Sequence, residues 1–141
     1  MRSRIIAAAL AASMVAAADG SGCSPRPEKL SQPTAHVTIY GNTHTTHAVS
    51  CSQVQWLLTI NISAAPAHVQ AVLKLDSAKP KPESIHFDNV DGFNGVANAG
   101  AGNAEAVFSG NTYTITGTAQ GSNLKDPSTQ TTADFRISAT C

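Results

Sequence analysis

The chain has 141 residues, nine basic and nine acidic side chains, and a formal net charge of zero. A chain of this length suits one domain of ordinary size. Its charged fraction of 13% and zero net charge exclude an electrostatic footprint for nucleic acid and a polybasic membrane patch. With one Trp, two Tyr and four Phe, it also has too few aromatic residues for base-stacking platforms. We therefore predict no nucleic-acid partner.

Residues 1–22 are predicted to be a lipoprotein signal peptide. Arg2 and Arg4 precede an apolar run over residues 5–18 that is too short to span a membrane. Small residues follow the run and lead directly to Cys23. This pattern predicts cleavage before Cys23 and lipidation of its thiol, so that acyl chains hold the mature protein at the membrane.

A second cleavage site remains open. Gly20 stands where the lipidation signal usually has an aliphatic residue, and Ala16-Ala17-Ala18 fits the pattern of ordinary signal peptidase. Cleavage there would give a secreted protein in which Cys23 is a free or intermolecular thiol. The cysteine count favours lipidation, because pairing of Cys51 with Cys141 would leave only Cys23 unpaired.

Residues 23–35 are predicted to be the lipidated N-terminus and a proline-rich tether. The segment 24–35 contains three prolines and shows no apolar periodicity. As a random coil it would span about 20 Å, and proline would stiffen and lengthen it.

Residues 36–141 are predicted to form one mainly β domain. Apolar residues alternate with polar ones in short segments bounded by Gly, Pro and Asn, which is typical of half-buried strands. The predicted strands cover residues 36–41, 54–62, 68–75, 84–90, 104–121 (a hairpin) and 133–140. The pattern indicates an antiparallel β-sandwich or a curved sheet.

Several segments have more specific predictions. In the most apolar segment, residues 54–62, one face of a half-buried strand is expected to carry Val54, Trp56, Leu58, Ile60 and Ile62. Residues 68–75 could also form a short helix, because they are rich in helix formers. Gly110-Asn111 predicts a two-residue hairpin turn. Residues 76–84 and 95–104 are expected to be loops.

Cys51 and Cys141 are predicted to form a structural disulfide. Cys51 precedes the most apolar segment and Cys141 is the last residue. The alternative is a redox or metal-binding pair, but neither cysteine belongs to a C-x-x-C motif. Export would permit the disulfide.

The histidines are the best candidates for a metal-binding site. His36, His44 and His47 have a spacing that zinc or copper could use. The segment lacks a carboxylate and reads as a polar loop or edge strand, so we treat these residues as weak metal candidates and predict no metal and no other cofactor. His68 and His86 are expected on the surface.

Asp88 and Asp91 are three residues apart beside a Gly turn. They could form a carboxylate pair or a weak calcium loop. The more frequent arrangement is a side-chain turn with the local backbone, which we expect here. No set of residues meets the nucleophile–base–orienter pattern of an active site, so no catalytic residues are predicted.

Four segments resemble the mycobacterial 19-kDa lipoprotein antigen family. The strongest match is residues 113–141, with an aromatic-x-ITGTA-x-G motif, a short insert containing proline, an alternating strand and a final Thr-Cys. Weaker matches are NVDGFNG (89–95), the Ala-Val-Leu stretch 71–73 and SGCS (21–24). The resemblance as a whole extends over about four-fifths of the mature chain.

The resemblance implies a non-enzymatic surface lipoprotein, anchored in the cell membrane of the mycobacterial envelope and facing outward. It implies acylation of Cys23, palmitate among the acyl chains, and recognition of Cys23 and Ser24 by host innate lipopeptide receptors. The alternatives are a binding module for a hydrophobic ligand, which would need a large cavity beneath Trp56 and Leu58, and a His-mediated metal-binding protein. The physiological small-molecule ligand, if there is one, is not identified by the sequence.

Overall fold

Ten strands form one antiparallel sheet in residues 32–141, the part of the chain that the computed structural model describes. The strands are β1 (Thr34–Ile39), β2 (Asn42–Thr46), β3 (Val49–Val54), β4 (Leu57–Ala64), β5 (Ala67–Lys74), β6 (Lys81–Val90), β7 (Phe93–Asn98), β8 (Asn103–Ser109), β9 (Thr112–Asn123) and β10 (Asp126–Thr140). This architecture confirms the prediction of a mainly β, antiparallel curved sheet. The predicted signal peptide, Cys23 and most of the tether lie outside the described residues.

The sheet rolls up until its two edges nearly meet. Its strand order is β2-β1-β10-β9-β7-β6-β5-β4-β3, and β8 pairs with β9. The edge strands β2 and β3 are therefore consecutive in the chain. We call the place where these two edges approach each other the seam. There the Thr46 hydroxyl donates to the Ser63 carbonyl at 2.8 Å, and the Ser63 amide donates to the Ala48 carbonyl at 3.0 Å.

Period-two alternation places the core on the inner face of the roll. In β1 the residues Ala35, Val37 and Ile39 are buried while His36 is exposed. The same alternation in other strands buries further large side chains, among them Ile60, Leu73, Ile85, Phe93, Ile115 and Ile137. Within the described residues, this core extends from Ala35 to Ala139 and so involves nearly the whole segment.

The alternating strand directions define two ends of the roll. The start of β1, the β3–β4 turn, the β5–β6 loop, the β8–β9 turn and the end of β10 lie at what we call the N-terminal end. The β1–β2, β4–β5, β6–β7 and β9–β10 turns lie at the opposite end, called the distal end. The described residues include no helix that is long and apolar enough to cross a membrane.

The prediction of one strand over residues 54–62 is wrong. The chain turns at Gln55 and Trp56, so that Val54 ends β3 and Leu57 begins β4. Gln55 has a φ of 53°, the left-handed conformation that a tight turn requires and that alternation of apolar residues does not reveal. Trp56 is consequently 62% exposed instead of buried, whereas Leu58 is buried as predicted.

The predicted loop over residues 95–104 is also largely strand. β7 takes up Phe93–Asn98 and β8 begins at Asn103. Gly95 pairs with Gly121 of β9, so the small residues that resembled a loop serve a close approach of two strands instead.

Other elements agree more closely with the sequence. Residues 68–75 form a strand, β5, and not a helix. Gly110 and Asn111 connect β8 to β9 as the predicted two-residue turn. The predicted loop 76–84 is shorter than expected because β6 already begins at Lys81.

Candidate functional site

A disulfide between Cys51 and Cys141 fastens the seam of the rolled sheet. Cys51 lies in β3 and Cys141 directly follows β10, 90 residues later. Their α-carbons are 5.8 Å apart, within the normal range for a disulfide. The predicted bridge is thus present, and it joins β3 to a strand near the other edge of the sheet. Cys23 is the third cysteine of the sequence and lies outside the described residues.

The three histidines proposed as weak metal candidates have separate partners. The His36 Nδ1 atom lies 2.8 Å from the Thr45 hydroxyl. His47 Nδ1 lies 3.1 Å from the Thr34 hydroxyl and 3.3 Å from the Pro33 carbonyl oxygen. His44 contacts Asp91.

Strand geometry explains why these histidines do not converge. His36 pairs with Thr45 in the β1–β2 ladder, and Val37 pairs with His44. Successive residues of a strand point to opposite faces, so His44 shares the inner face with the buried Val37 while His36 lies outside. Within residues 32–141, no three His, Cys, Asp or Glu side chains form a group that could hold a metal ion.

The contact between His44 and Asp91 is the most specific polar arrangement at the distal end. His44 Nε2 lies 2.9 Å from both carboxylate oxygens of Asp91. The His44 side chain is 39% exposed and that of Asp91 is 31% exposed. The contact connects β2 with the β6–β7 turn, where Asp91 and Gly92 both have positive φ. It therefore links the edge strand β2 to the β6–β7 turn at the distal end of the rolled sheet.

A surface cleft of about 210 Å³ lies beside this pair. It is lined by His44, Ala64, Ala65, Pro66, Ala67, Asn89, Asp91 and Gly92. This lining supplies an imidazole, a carboxylate and an amide, but no hydroxyl or thiol that could act as a nucleophile. The cleft is therefore suited to hydrogen-bonding a small polar group.

Sequence reasoning missed the partner of Asp91. The expected side-chain turn is wrong, because the Asp91 carboxylate reaches His44, which is 47 residues away in the chain. Asp88 lies opposite His68 in the β5–β6 ladder, apart from this contact. The Asp-Gly dipeptide correctly marks a hairpin turn, but the approach of β2 to that turn depends on the roll of the whole sheet.

The rolled sheet leaves little space inside its core. The apolar cavity lined by Val37, Ile62, Val69 and Val90, among others, measures about 10 Å³. A single water molecule needs at least that much space. Trp56 lies outside this core and, with Gln55, lines an open surface hollow of about 420 Å³ instead of covering an internal cavity.

We expect His44→Ala to lower the free energy of unfolding by less than about 1 kcal/mol, because water competes for a polar contact between two partly exposed side chains. Denaturant unfolding of the two proteins at neutral pH measures the difference. His86→Ala is a matched control, since His86 is exposed on β6 and away from the seam. A loss several times larger than that of the control would show that the contact holds the roll closed more strongly than its exposure suggests.

The sequence of this chain is similar to a known protein family. Residues 28–141 match the family described as Mycobacterium 19 kDa lipoprotein antigen. The protein named "Probable lipoprotein LppE" of Mycobacterium tuberculosis is 41% identical over 129 residues, which cover 91% of each chain.

More distant similarity is found to proteins named "Lipoprotein LpqH". The one from Mycobacterium tuberculosis is 34% identical over 98 residues, covering 68% of this chain and 61% of LpqH. The one from Mycobacterium avium is 34% identical over 96 residues, covering 67% of this chain and 59% of the relative. With the match over residues 28–141, these similarities confirm the resemblance found in the sequence: the chain belongs to the Mycobacterium 19 kDa lipoprotein antigen family.

Proposed function

We propose that this protein is a non-enzymatic lipoprotein that acyl chains on Cys23 anchor to the outer side of the cell membrane, with its β domain exposed at the surface. Membership of a lipoprotein antigen family supports the location in the cell envelope. The relatives are named as lipoproteins and not as enzymes. The cleft beside His44 and Asp91 offers hydrogen-bonding groups and is consistent with a binding or structural role.

The observation that carries this proposal is the use of the cysteines. Cys51 and Cys141 are joined in the disulfide, so Cys23 is the remaining cysteine of the three in the sequence. It directly follows the small residues that end a signal-like segment, where a thioether to a lipid would form. Several acyl chains on one residue give a stable membrane anchor where a single chain would be marginal.

The anchor is tested by replacing Cys23. We expect the wild-type protein to partition into the detergent phase, and Cys23→Ala to move into the aqueous phase because it has no thiol to acylate. Ser24→Ala is the matched control and should stay with the detergent. Intact mass of the native protein should show an N-terminal Cys23 carrying acyl chains. Wild-type protein that partitions into water with Asp19 at its N-terminus would disprove the anchor and favour cleavage after Ala18.

Recognition by host innate lipopeptide receptors is the second part of the proposal. The recognised portion would be acylated Cys23 with Ser24, and the β domain would contribute nothing. Purified wild-type protein should then activate a cell line that carries such a receptor, whereas Cys23→Ala should not. A variant that lacks the disulfide but keeps Cys23 should remain active, and loss of activity in that variant would instead indicate recognition of the folded domain.

A further inference from the structure

The β3–β4 turn presents an unusual group of exposed apolar side chains. Val54, Trp56 and Leu57 are 73%, 62% and 47% exposed, respectively. We call residues 54–57 the tip. Trp is normally largely buried in folded proteins, and clustered apolar exposure on a soluble domain often marks an interaction site.

The tip is a defined turn. The backbone amide of Leu75 donates to the Trp56 carbonyl at 2.7 Å, and the Gln53 side-chain amide donates to the Gln55 carbonyl at 2.9 Å. The first of these bonds fastens the tip to the start of the β5–β6 loop. The apolar side chains are therefore held outward by the fold.

The exposed apolar side chains are concentrated at one end of the sheet. Of the seven large ones in residues 32–141, five are at or near turns of the N-terminal end: Val54, Trp56, Leu57, Val107 and Phe108. Tyr40 and Leu124 are at the distal end. The N-terminal end is also where Thr34 begins β1, so the chain from Cys23 joins the domain at the same end as the tip.

The short connection between Cys23 and Thr34 limits how far this end can move from the lipid. A fully extended chain spans at most about 3.3–3.6 Å per residue, so these eleven steps reach no more than about 40 Å, and a flexible coil of that length averages about 20 Å. A domain tethered this closely is at a high effective concentration near the surface. Even weak contacts between the N-terminal end and the lipid surface would then be formed for much of the time.

Charge at the N-terminal end complements an anionic lipid surface. Lys74, Lys79 and Lys81 flank the loop that is bonded to the tip, and Asp76, which lies 3.3 Å from the Lys74 ammonium, is the acidic residue among them. Residues 74–81 therefore carry a net charge of +2, which the exposed Glu83 that follows in β6 lowers to +1 over residues 74–83.

The distal turns have the opposite sign. They carry Asp91, Lys125 and Asp126, a net charge of −1. The zero net charge of the whole chain conceals this local asymmetry, which is why the sequence alone indicates no basic membrane patch.

We propose that the tip, together with the lysines of residues 74–81, docks onto the anionic lipid surface in which the Cys23 acyl chains are inserted. This inference rests on the proposed lipid anchor. Trp side chains favour the membrane–water interface, where an apolar ring and its N–H group are both accommodated. Each Lys near an anionic surface adds a modest attraction that is reduced by salt. Docking would hold the distal end, with the His44–Asp91 cleft, away from the membrane.

The test uses the mature chain expected after cleavage, residues 23–141, which contains the core described above and one thiol outside the disulfide. Cys23 is coupled through a thioether to a maleimide lipid in vesicles of phosphatidylcholine with added phosphatidylglycerol, so tethering does not depend on biological acylation. Trp56 is the only Trp of the chain and reports on the tip directly. We expect its emission to shift to shorter wavelength on tethering, and to be quenched by brominated lipid and protected from acrylamide.

Matched variants separate docking at the tip from nonspecific adsorption. Val54→Asp places a charge on the tip and keeps the Trp56 reporter, and we expect it to lower the ratio of docked to undocked protein about tenfold. Leu124→Asp changes a similarly exposed apolar residue at the distal end and should have no effect on the spectrum. Raising the salt concentration should weaken docking of the parent protein.

Three results would overturn the inference. In the first, tethered Trp56 keeps the emission and acrylamide quenching of the untethered protein. In the second, Leu124→Asp reduces the shift as much as Val54→Asp does. In the third, the shift appears without vesicles as the protein concentration rises, which would assign the tip to contact with a second copy. Failure of the lipid anchor itself is seen separately, as partitioning of the native wild-type protein into water.

Discussion

Replacing both Cys51 and Cys141 with alanine is expected to lower the free energy of unfolding by about 4–5 kcal/mol in the chain-entropy treatment of disulfides. The bond closes a loop with a sequence separation of 90. Without it, the unfolded chain can adopt many more conformations, which favours the unfolded state. Loss of the bond also frees β3, an edge strand that pairs with β4 on one side. Because small domains are stabilised by only about 5–15 kcal/mol, this loss would leave the variant close to unfolding.

Denaturant unfolding of the oxidised wild-type protein and the double variant measures this effect. The variant should show a lower midpoint and unfold cooperatively in both the presence and absence of reductant. Ser50→Ala, at an exposed position on the same strand, controls for changes in β3 itself and should be nearly neutral. A double variant as stable as the wild type would mean that the strand ladders close the roll without the covalent bond.

The sequence predicts the parts of the fold that depend on local periodicity. Alternation of apolar and polar residues is sufficient to identify β1 and the second half of β10, because each has one face in the core and one in solvent. For residues 68–75 it leaves a short helix open, and the structure shows a strand. The Gly110-Asn111 turn is recognisable because few dipeptides suit a two-residue hairpin. The disulfide follows from counting cysteines in an exported chain.

The errors occur where tertiary arrangement overrides that local signal. Trp56 continues the alternation of β4, yet the left-handed Gln55 ends the preceding strand and turns Trp56 outward. Periodicity assigns any large apolar residue to the core and does not distinguish one that a turn leaves exposed. The His44–Asp91 contact could not be predicted either, because it depends on how far the sheet rolls before its edges meet.

The two glycines of the ITGTA-x-G motif, Gly117 and Gly121, have a structural explanation. Gly117 pairs with Ala104 of β8, whereas Gly121 pairs with Gly95 of β7. The two glycines thus lie on either side of the point at which β9 changes its partner. Ile115 and Ala119, which alternate with them on the same face, are fully buried. Glycine within a strand is typical of such close approaches of backbone to backbone.

We expect Gly117→Ala and Gly121→Ala each to lower the free energy of unfolding by about 3 kcal/mol, the upper range for overpacking. A Cβ atom at Gly117 would collide with the Asn103 carbonyl oxygen, and one at Gly121 with the Asn94 carbonyl oxygen. Both obstacles are backbone atoms of paired strands, so relief requires moving β8 or β7 away from β9. Thermal and denaturant unfolding of the disulfide-bonded proteins measure the loss.

Gly110→Ala separates this crowding from the general effect of replacing glycine. Gly110 has a φ of 62° and no heavy atom within 4 Å of the position a Cβ would take, so its replacement costs about 1–2 kcal/mol of backbone strain without any collision. The two strand variants should therefore be clearly less stable than the turn variant. If all three lose the same amount, crowding at the partner switch is not what requires glycine in this motif. If instead only the two strand variants are severely destabilised, glycine is required in this motif because β9 pairs closely with β8 before this point and with β7 after it.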